Sequence, residues 1–202
     1  MVLKVLAIGD LSNNITMFKK FTKSDIHLIN FPWDGPSKVI DAKDGVEFFK
    51  SVKVKDVLKR INEIKNEFDI CIAMSSTGLL MSYLADLNYI AYFCGHDIRS
   101  PPFIKDMHDP LSTDKPIYDF NSLERRYYKK AYDNAIAAVV TDDELLEHLK
   151  KYRDDPTRIT GYIVDTAIFN ENVKPIERKK TKFTFISPAR MGLQKGTEKI
   201  WE

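Results

Sequence analysis

Short apolar runs alternate with longer amphipathic stretches along this chain. Val2–Ile8 is apolar except for Lys4, and Gly9-Asp10 ends it, so it predicts a buried strand. A short helix over Asn14–Phe21 and a second strand over Ile26–Phe31 follow. Residues 32–52 contain Pro32, Gly35, Pro36 and Gly45 and read as irregular. Val54, Val57, Leu58, Ile61, Ile64 and Phe68 then share one face of a helix whose other face carries Lys and Glu. Asp69–Met74 reads as a strand, Ser75–Gly78 as a polar turn, Leu79–Leu87 as a helix and Tyr89–Cys94 as a buried strand. Gly95–Phe120 holds Pro101, Pro102, Pro110 and Pro116 and reads as a long loop, a kind that often carries function. Asn121-x-x-Glu124 has the spacing of a cap for a helix running to Asn134. A strand over Ala135–Val140 comes next. Thr141–Glu144 matches a capping box, ahead of a helix burying Leu145, Leu146, Leu149 and Tyr152. Arg158–Val164 is another short strand, and Phe183–Ser187 a further one.

Strands alternating with helices imply right-handed crossovers and a parallel sheet. Because the strands are apolar on both sides, the expected fold is a Rossmann-like, doubly wound α/β sheet with helices on both faces. Residues 1–170 read as one such domain, 171–181 as a basic linker, and 182–202 as the first strand and helix start of a second domain. Ligands of these sheets bind outside the carboxyl ends of the strands. That rule selects Gly9–Asn14, Ser75–Gly78, Gly95–Arg99 and Thr141.

Composition narrows the classes. The chain has 202 residues, 44% hydrophobic and 30% charged, which excludes a disordered or coiled-coil chain. No stretch approaches the ~20 apolar residues that span a bilayer, and the amino terminus lacks the pattern of a signal peptide. A cytoplasmic protein is expected, with Cys71 and Cys94 as free, buried thiols. The net charge of +2 is uneven: residues 1–170 hold 23 basic and 25 acidic side chains, and residues 171–202 hold 8 and 4. The basic segment is either a solvated linker or an anion site. With no basic stripe over the main body, nucleic acid is not an expected partner. Peripheral contact with a membrane stays open.

Among the candidate residues, Gly9 and Asp10 follow the first strand, where free N–H groups at a helix start attract anions. A plain capped turn is the alternative, since a single glycine makes neither a dinucleotide fingerprint nor a Walker loop. His96 and Asp97 end a central strand and are candidates for acid, base or sugar-hydroxyl contacts. The alternative is a polar loop in which Asp97 pairs with Arg99. Ser75, Ser76, Arg99 and His108 are candidate substrate contacts. His27 reads as a packed core residue and His148 as a solvated one. No histidine or cysteine spacing fits a metal, and no Gly-x-Ser-x-Gly elbow occurs. Arg190 and Lys195, with Gly196 before a helix start, have the chemistry of a diphosphate clamp, a planar fork plus a point charge. Two solvated cations are the alternative.

Ser187-Pro-Ala-Arg190-Met followed by Lys195-Gly196 resembles the opening of the second domain in family 4 glycosyltransferases of the GT-B fold, with Ala189 at the usual Gly. Val164-Asp165-Thr166-Ala-Ile-Phe169 resembles that family's Gly-Val-Asp-Thr-x-x-Phe. Cys94-Gly95-His96-Asp97 resembles its His-Gly-Ser-Asp, with Cys94 at the histidine. Ala138-Val-Val-Thr141 resembles the run before its acceptor-domain helix. The resemblance implies half of an enzyme that moves a sugar from a nucleotide diphosphate donor to a glycan, lipid or small-molecule acceptor. It implies retention of configuration and no metal or other cofactor, the nucleotide-sugar being a substrate. Arg190, Lys195 and Gly196 would hold the diphosphate, and His96 and Asp97 would contact the reacting sugar. The chain alone would be inactive. A non-catalytic Rossmann-like domain that binds a sugar or a partner is the alternative.

Overall fold

In the first strand, β1 (Lys4–Ile8), everything after Lys4 is buried, because an apolar strand flanked on both sides by parallel neighbours meets helices above and below. The structure is a computed structural model and describes residues 2–11, 14–31, 45–49, 53–105, 119–159, 166–167 and 172. All elements named below belong to one unit, Met1–Lys105 with Asp119–Val164. Among the described residues of a second unit, Asp106–Tyr118 with Asp165–Glu202, are the turn residues Thr166, Ala167 and Asn172.

The remaining strands are β2 (Asp25–Asn30), β3 (Val46–Phe48), β4 (Ile70–Met74), β5 (Tyr89–Phe93), β6 (Ala137–Val140) and β7 (Pro156–Arg158). They form one seven-stranded sheet, all neighbours parallel, in the order β3-β2-β1-β4-β5-β6-β7. This is the expected Rossmann-like α/β fold. The chain runs outward from β1 to β3 and then crosses to β4 on the other side of β1. The switch point of the sheet therefore lies between β1 and β4, where Ile8 pairs with Ala73.

The helices are α1 (Asn14–Phe21), α2 (Val54–Ile64), α3 (Ser75–Leu84), α4 (His96–Arg99), α5 (Ser122–Asp133) and α6 (Asp143–Leu149). One face of the sheet packs Leu6, Ile8, Ile29, Ala73, Ala91 and Phe93 against apolar side chains of α2, α3, α5 and α6. The other packs Val5, Ala7, Ile26 and Leu28 against Ile15 of α1. Each fully buried Leu, Ile or Phe contributes roughly 1.5–3 kcal/mol, so these two layers supply most of the drive to fold.

Several sequence expectations need correcting. Residues 32–52 contain a strand: Val46–Phe48 pairs in parallel with Leu28–Asn30. Ser75–Gly78 is the first turn of α3, because the chain passes from strand to helix through Ser75 at φ 68°. The Gly95–Phe120 segment begins with the single turn α4. The cap of α6 is Asp142, whose carboxylate accepts from the Leu145 N–H at 2.9 Å, one residue later than the expected Thr141. Among the described residues the last strand is Pro156–Arg158, which overlaps the expected Arg158–Val164 at Arg158, and residues 160–164 lie outside the described residues. Cys71 is buried as expected, but Cys94 is only half-buried. His27 is no core residue: it faces Glu47 across the β2–β3 edge, Nε2 to Oε1 at 2.8 Å, and Arg60 grips the same carboxylate. The capping box at Asn121 and Glu124 forms as expected. The strand at Phe183–Ser187 and the second-domain start lie outside the described residues.

Candidate functional site

Polar side chains buried in this unit gather where the strands end. Asp10 follows β1, Asn30 ends β2, Ser75 follows β4, Asp97 follows β5 and Thr141 follows β6, all buried. Burying polar groups costs free energy unless they find partners, so their partners show what each one does.

The β1 end and the start of α3 nest into each other at the switch point. An added Cβ at Gly9 would lie 2.2 Å from the Met74 carbonyl oxygen, and one at Gly78 would lie 2.2 Å from that of Ile8. Gly9 also has φ 85°, a region that side chains other than glycine's rarely enter. Asp10 then turns inward. Its carboxylate accepts from the N–H groups of Ile15 at 2.9 Å and Thr16 at 3.1 Å, and from the Thr16 hydroxyl at 2.5 Å. The amino terminus of α1, an expected anion seat, thus receives a carboxylate from its own chain. Burial holds the Asp10 pKa above the ordinary carboxylate range, against the pull of these hydrogen bonds.

At the end of β5 the chain turns into α4, with His96 exposed and Asp97 buried. Oδ1 of Asp97 accepts from the Gly95 N–H at 2.9 Å and the Cys94 N–H at 3.3 Å. Oδ2 is buried with no hydrogen-bond partner among the described residues. Desolvation pushes the Asp97 pKa up to about 6, the backbone N–H groups opposing it. Arg99 does not serve Asp97. Its Nε donates to Glu144 Oε1 at 2.8 Å, joining α4 to α6.

Tyr132 ties the loops after β4 and β5 together. Its hydroxyl donates to the Asp97 carbonyl at 2.6 Å and lies 2.9 Å from Ser76 Oγ. Its ring packs on Phe93 and Phe103. The sequence reading missed Tyr132, although a phenol on the buried face of a helix must find a polar partner. Ser75 Oγ accepts from the Gly78 N–H at 3.3 Å, inside the turn.

The structure therefore brings together Ser76, Asp97 and Tyr132, with His96 and Arg99 on α4, the same helical turn as Asp97. Gly9 and Ser75 meet at the switch point, where Ser75 Oγ would lie 3.1 Å from a Cβ added at Gly9. Arg190, Lys195, Gly196 and His108 lie outside the described residues. Among the described residues, no group of three or more His, Cys, Asp or Glu could hold a metal ion. A cavity of about 190 Å³ opens at the opposite, amino-terminal edge of the sheet, lined in part by Lys65, Asp69, Cys71 and Asp86. It contains no candidate site residue.

No family model and no curated protein matches the chain. Similar solved structures include UDP-N-acetylglucosamine 2-epimerase from Rickettsia bellii, at 14% identity over 75% of this chain and 42% of that one, TM-score 0.44. A UDP-glucosyltransferase from Polygonum tinctorium is 9% identical over 87% of this chain and 56% of that one, TM-score 0.49. The dTDP-glucose 4,6-dehydratase from Bacillus anthracis is 13% identical over 70% and 55%, TM-score 0.35. The chain spans about half the length of these structures. Identities this low say nothing of chemistry, and the fold assignment rests on the sheet itself.

Proposed function

We propose that this chain is the acceptor-side half of a glycosyltransferase with two Rossmann-like domains, using a nucleotide diphosphate sugar as donor. The observation that supports this reading best is Asp97. A buried carboxylate with one unsatisfied oxygen, at the carboxyl end of a central strand, is costly to the fold and suited to a ligand hydroxyl. His96 stands beside it and offers a second contact to the sugar. The Arg190–Lys195-Gly196 motif supplies the complementary half of the chemistry, cations that stabilise charge on the departing diphosphate. No step calls for a metal, and retention of configuration follows the resemblance of the motifs. At neutral pH Asp97 is mostly ionised, so its Oδ2 accepts a hydrogen bond from a sugar hydroxyl or takes up its proton.

The test is a transfer and binding assay on the full natural protein, with UDP-glucose and GDP-mannose as probe donors. Replacing Arg190 and Lys195 by Ala is expected to weaken donor binding at least about tenfold, given the strength of charged hydrogen bonds. Asp97→Asn is expected to lower turnover by about a hundredfold or more and to remove a pH limb near 6. Unchanged donor affinity and turnover in both variants would overturn the reading. The 202-residue chain alone is expected to show no turnover.

A second reading, a non-catalytic sugar- or partner-binding domain, is favoured by Asp10, whose carboxylate occupies the helix terminus that an anionic ligand would use. Ligand binding without turnover in the full protein would select it.

A further inference from the structure

We infer that Tyr132 is a positioning residue of the candidate site, one that sets the Ser76 hydroxyl as an acceptor for a ligand hydroxyl or N–H; the inference rests on the sugar-hydroxyl reading given to Asp97. Tyr132 is 2% exposed, on the buried side of α5. Its ring packs on Phe93, with centroids 5.2 Å apart, and meets Phe103 edge-on at 4.9 Å. These contacts fix the hydroxyl, which lies 2.6 Å from the Asp97 carbonyl oxygen and 2.9 Å from Ser76 Oγ. A phenol carries one hydrogen, and a carbonyl oxygen can only accept. The Tyr132 hydrogen therefore goes to Asp97. The hydrogen between Ser76 and Tyr132 must then come from Ser76.

That order decides what Ser76 can recognise. A serine hydroxyl ordinarily turns to donate or to accept, as its partner requires. At Ser76, a half-buried residue, the one hydrogen is spent inside the chain and the oxygen keeps its lone pairs for an incoming donor. Asp97 Oδ2, which has no hydrogen-bond partner among the described residues, is an acceptor as well once ionised. Ser76 follows β4 and Asp97 follows β5, neighbouring strands in which Met74 pairs with Tyr92, so both acceptors stand at the same end of the sheet. A ligand with several hydroxyls, such as a sugar, supplies the hydrogens that these acceptors need. A phosphate brings mainly acceptor oxygens, and its charge is of the same sign as the carboxylate's. Without the Tyr132 hydroxyl, the Ser76 hydrogen is released and Ser76 no longer has a set direction. Tyr132 thus acts on the ligand through Ser76.

The experiment is NMR on the 202-residue chain. Without ligand, the Ser76 hydroxyl hydrogen is expected to exchange with water about tenfold or more slowly compared with an exposed serine, and to lose that protection in Tyr132→Phe. Methyl glycosides of glucose, galactose and mannose are then the probes, with inorganic phosphate as the contrast. A glycoside is expected to shift the Ser76 and Asp97 amides, and phosphate to leave them in place. Ser76→Ala is expected to weaken glycoside binding about five- to tenfold, the worth of one neutral hydrogen bond. Tyr132→Phe is expected to weaken it about threefold, the cost of choosing one of three rotor positions, and to add nothing beside Ser76→Ala. Tyr89→Phe is the control for a structural role: it removes a hydroxyl that donates to the Ala131 carbonyl of the same helix. It is expected to lower the melting temperature and leave glycoside binding unchanged. A Ser76 hydroxyl that exchanges as fast as an exposed one would overturn the inference. So would a Tyr132→Phe loss that Tyr89→Phe matches or that persists beside Ser76→Ala, or phosphate binding at Ser76. Glycoside binding unaffected by Tyr132→Phe overturns this inference alone, whereas its absence in the parent overturns the sugar reading with it.

Discussion

At the scale of single residues, the candidate site is held in an unfavourable state that can be measured. Asp97 has an ordinary pKa of 3.8 in the unfolded chain and about 6 when folded. A raised carboxylate pKa means that the folded state holds its proton to higher pH than the unfolded state does. Stability therefore falls as pH rises from about 4 to about 6 and stays lower above that. Asp97→Asn keeps an oxygen for the Cys94 and Gly95 N–H groups and removes the buried charge. It is expected to stabilise the protein by about 1–3 kcal/mol at pH 7 and by little at pH 4, read from denaturant unfolding at both values. A variant no more stable than the parent at pH 7 would mean that Oδ2 is solvated. Gly9 and Gly78 make a sharper case, because each would drive a Cβ to 2.2 Å from a carbonyl oxygen. Gly78→Ala is expected to cost about 3 kcal/mol or more, since the neighbour is backbone and cannot turn aside. A melting temperature within a few degrees of the parent's would refute it.

At the scale of elements, periodicity found what is locally encoded. The helix starting at Val54 was legible because its apolar spacing is regular, and Asn121 and Glu124 announced the start of α5 by side-chain chemistry alone. Removing that cap, Asn121→Ala, is expected to cost about 1 kcal/mol, seen as a lower unfolding midpoint with an unchanged slope. β3 was not legible. Three half-exposed or exposed residues carry no pattern, and what holds Glu47 is long-range: His27 from β2 and Arg60 from α2. Ser75–Gly78 was misread because Ser, Thr and Gly are turn formers. Gly78 is needed there for contact with Ile8, a partner distant in sequence. The site was legible in part for the same reason. Asp97 and His96 stood out at a strand's end, whereas the link from Tyr132 to Ser76 and Asp97 joins α5, α3 and the β5 loop and leaves no local signal. Tyr132→Phe breaks that link. It is expected to cost about 1–2 kcal/mol, because the Asp97 carbonyl and Ser76 lose a buried partner.

For the whole molecule, the described sheet and the basic segment fall in different stretches of the chain. Among the described residues the seven strands end at Arg158, and the residues proposed for a diphosphate grip, Arg190 and Lys195, come later in the sequence. Residues 171–202 hold 8 basic and 4 acidic side chains. If 1–170 is the folding unit, removing 171–202 takes away cations and motif but none of the strands described for the sheet. A chain of residues 1–170 is then expected to unfold cooperatively, with a midpoint within a few degrees of the full chain, since a single sheet with two apolar layers supplies its own drive. The same truncation is expected to abolish binding of UDP or GDP wherever the 202-residue chain shows it, because the cations that would meet a diphosphate are gone. Calorimetric unfolding and nucleotide titration on the two chains check these expectations independently. A truncated chain that melts far below its parent would move the domain boundary past 170. One that folds and binds nucleotide equally well would place the anion site on the sheet and release Arg190 and Lys195 from the role proposed for them.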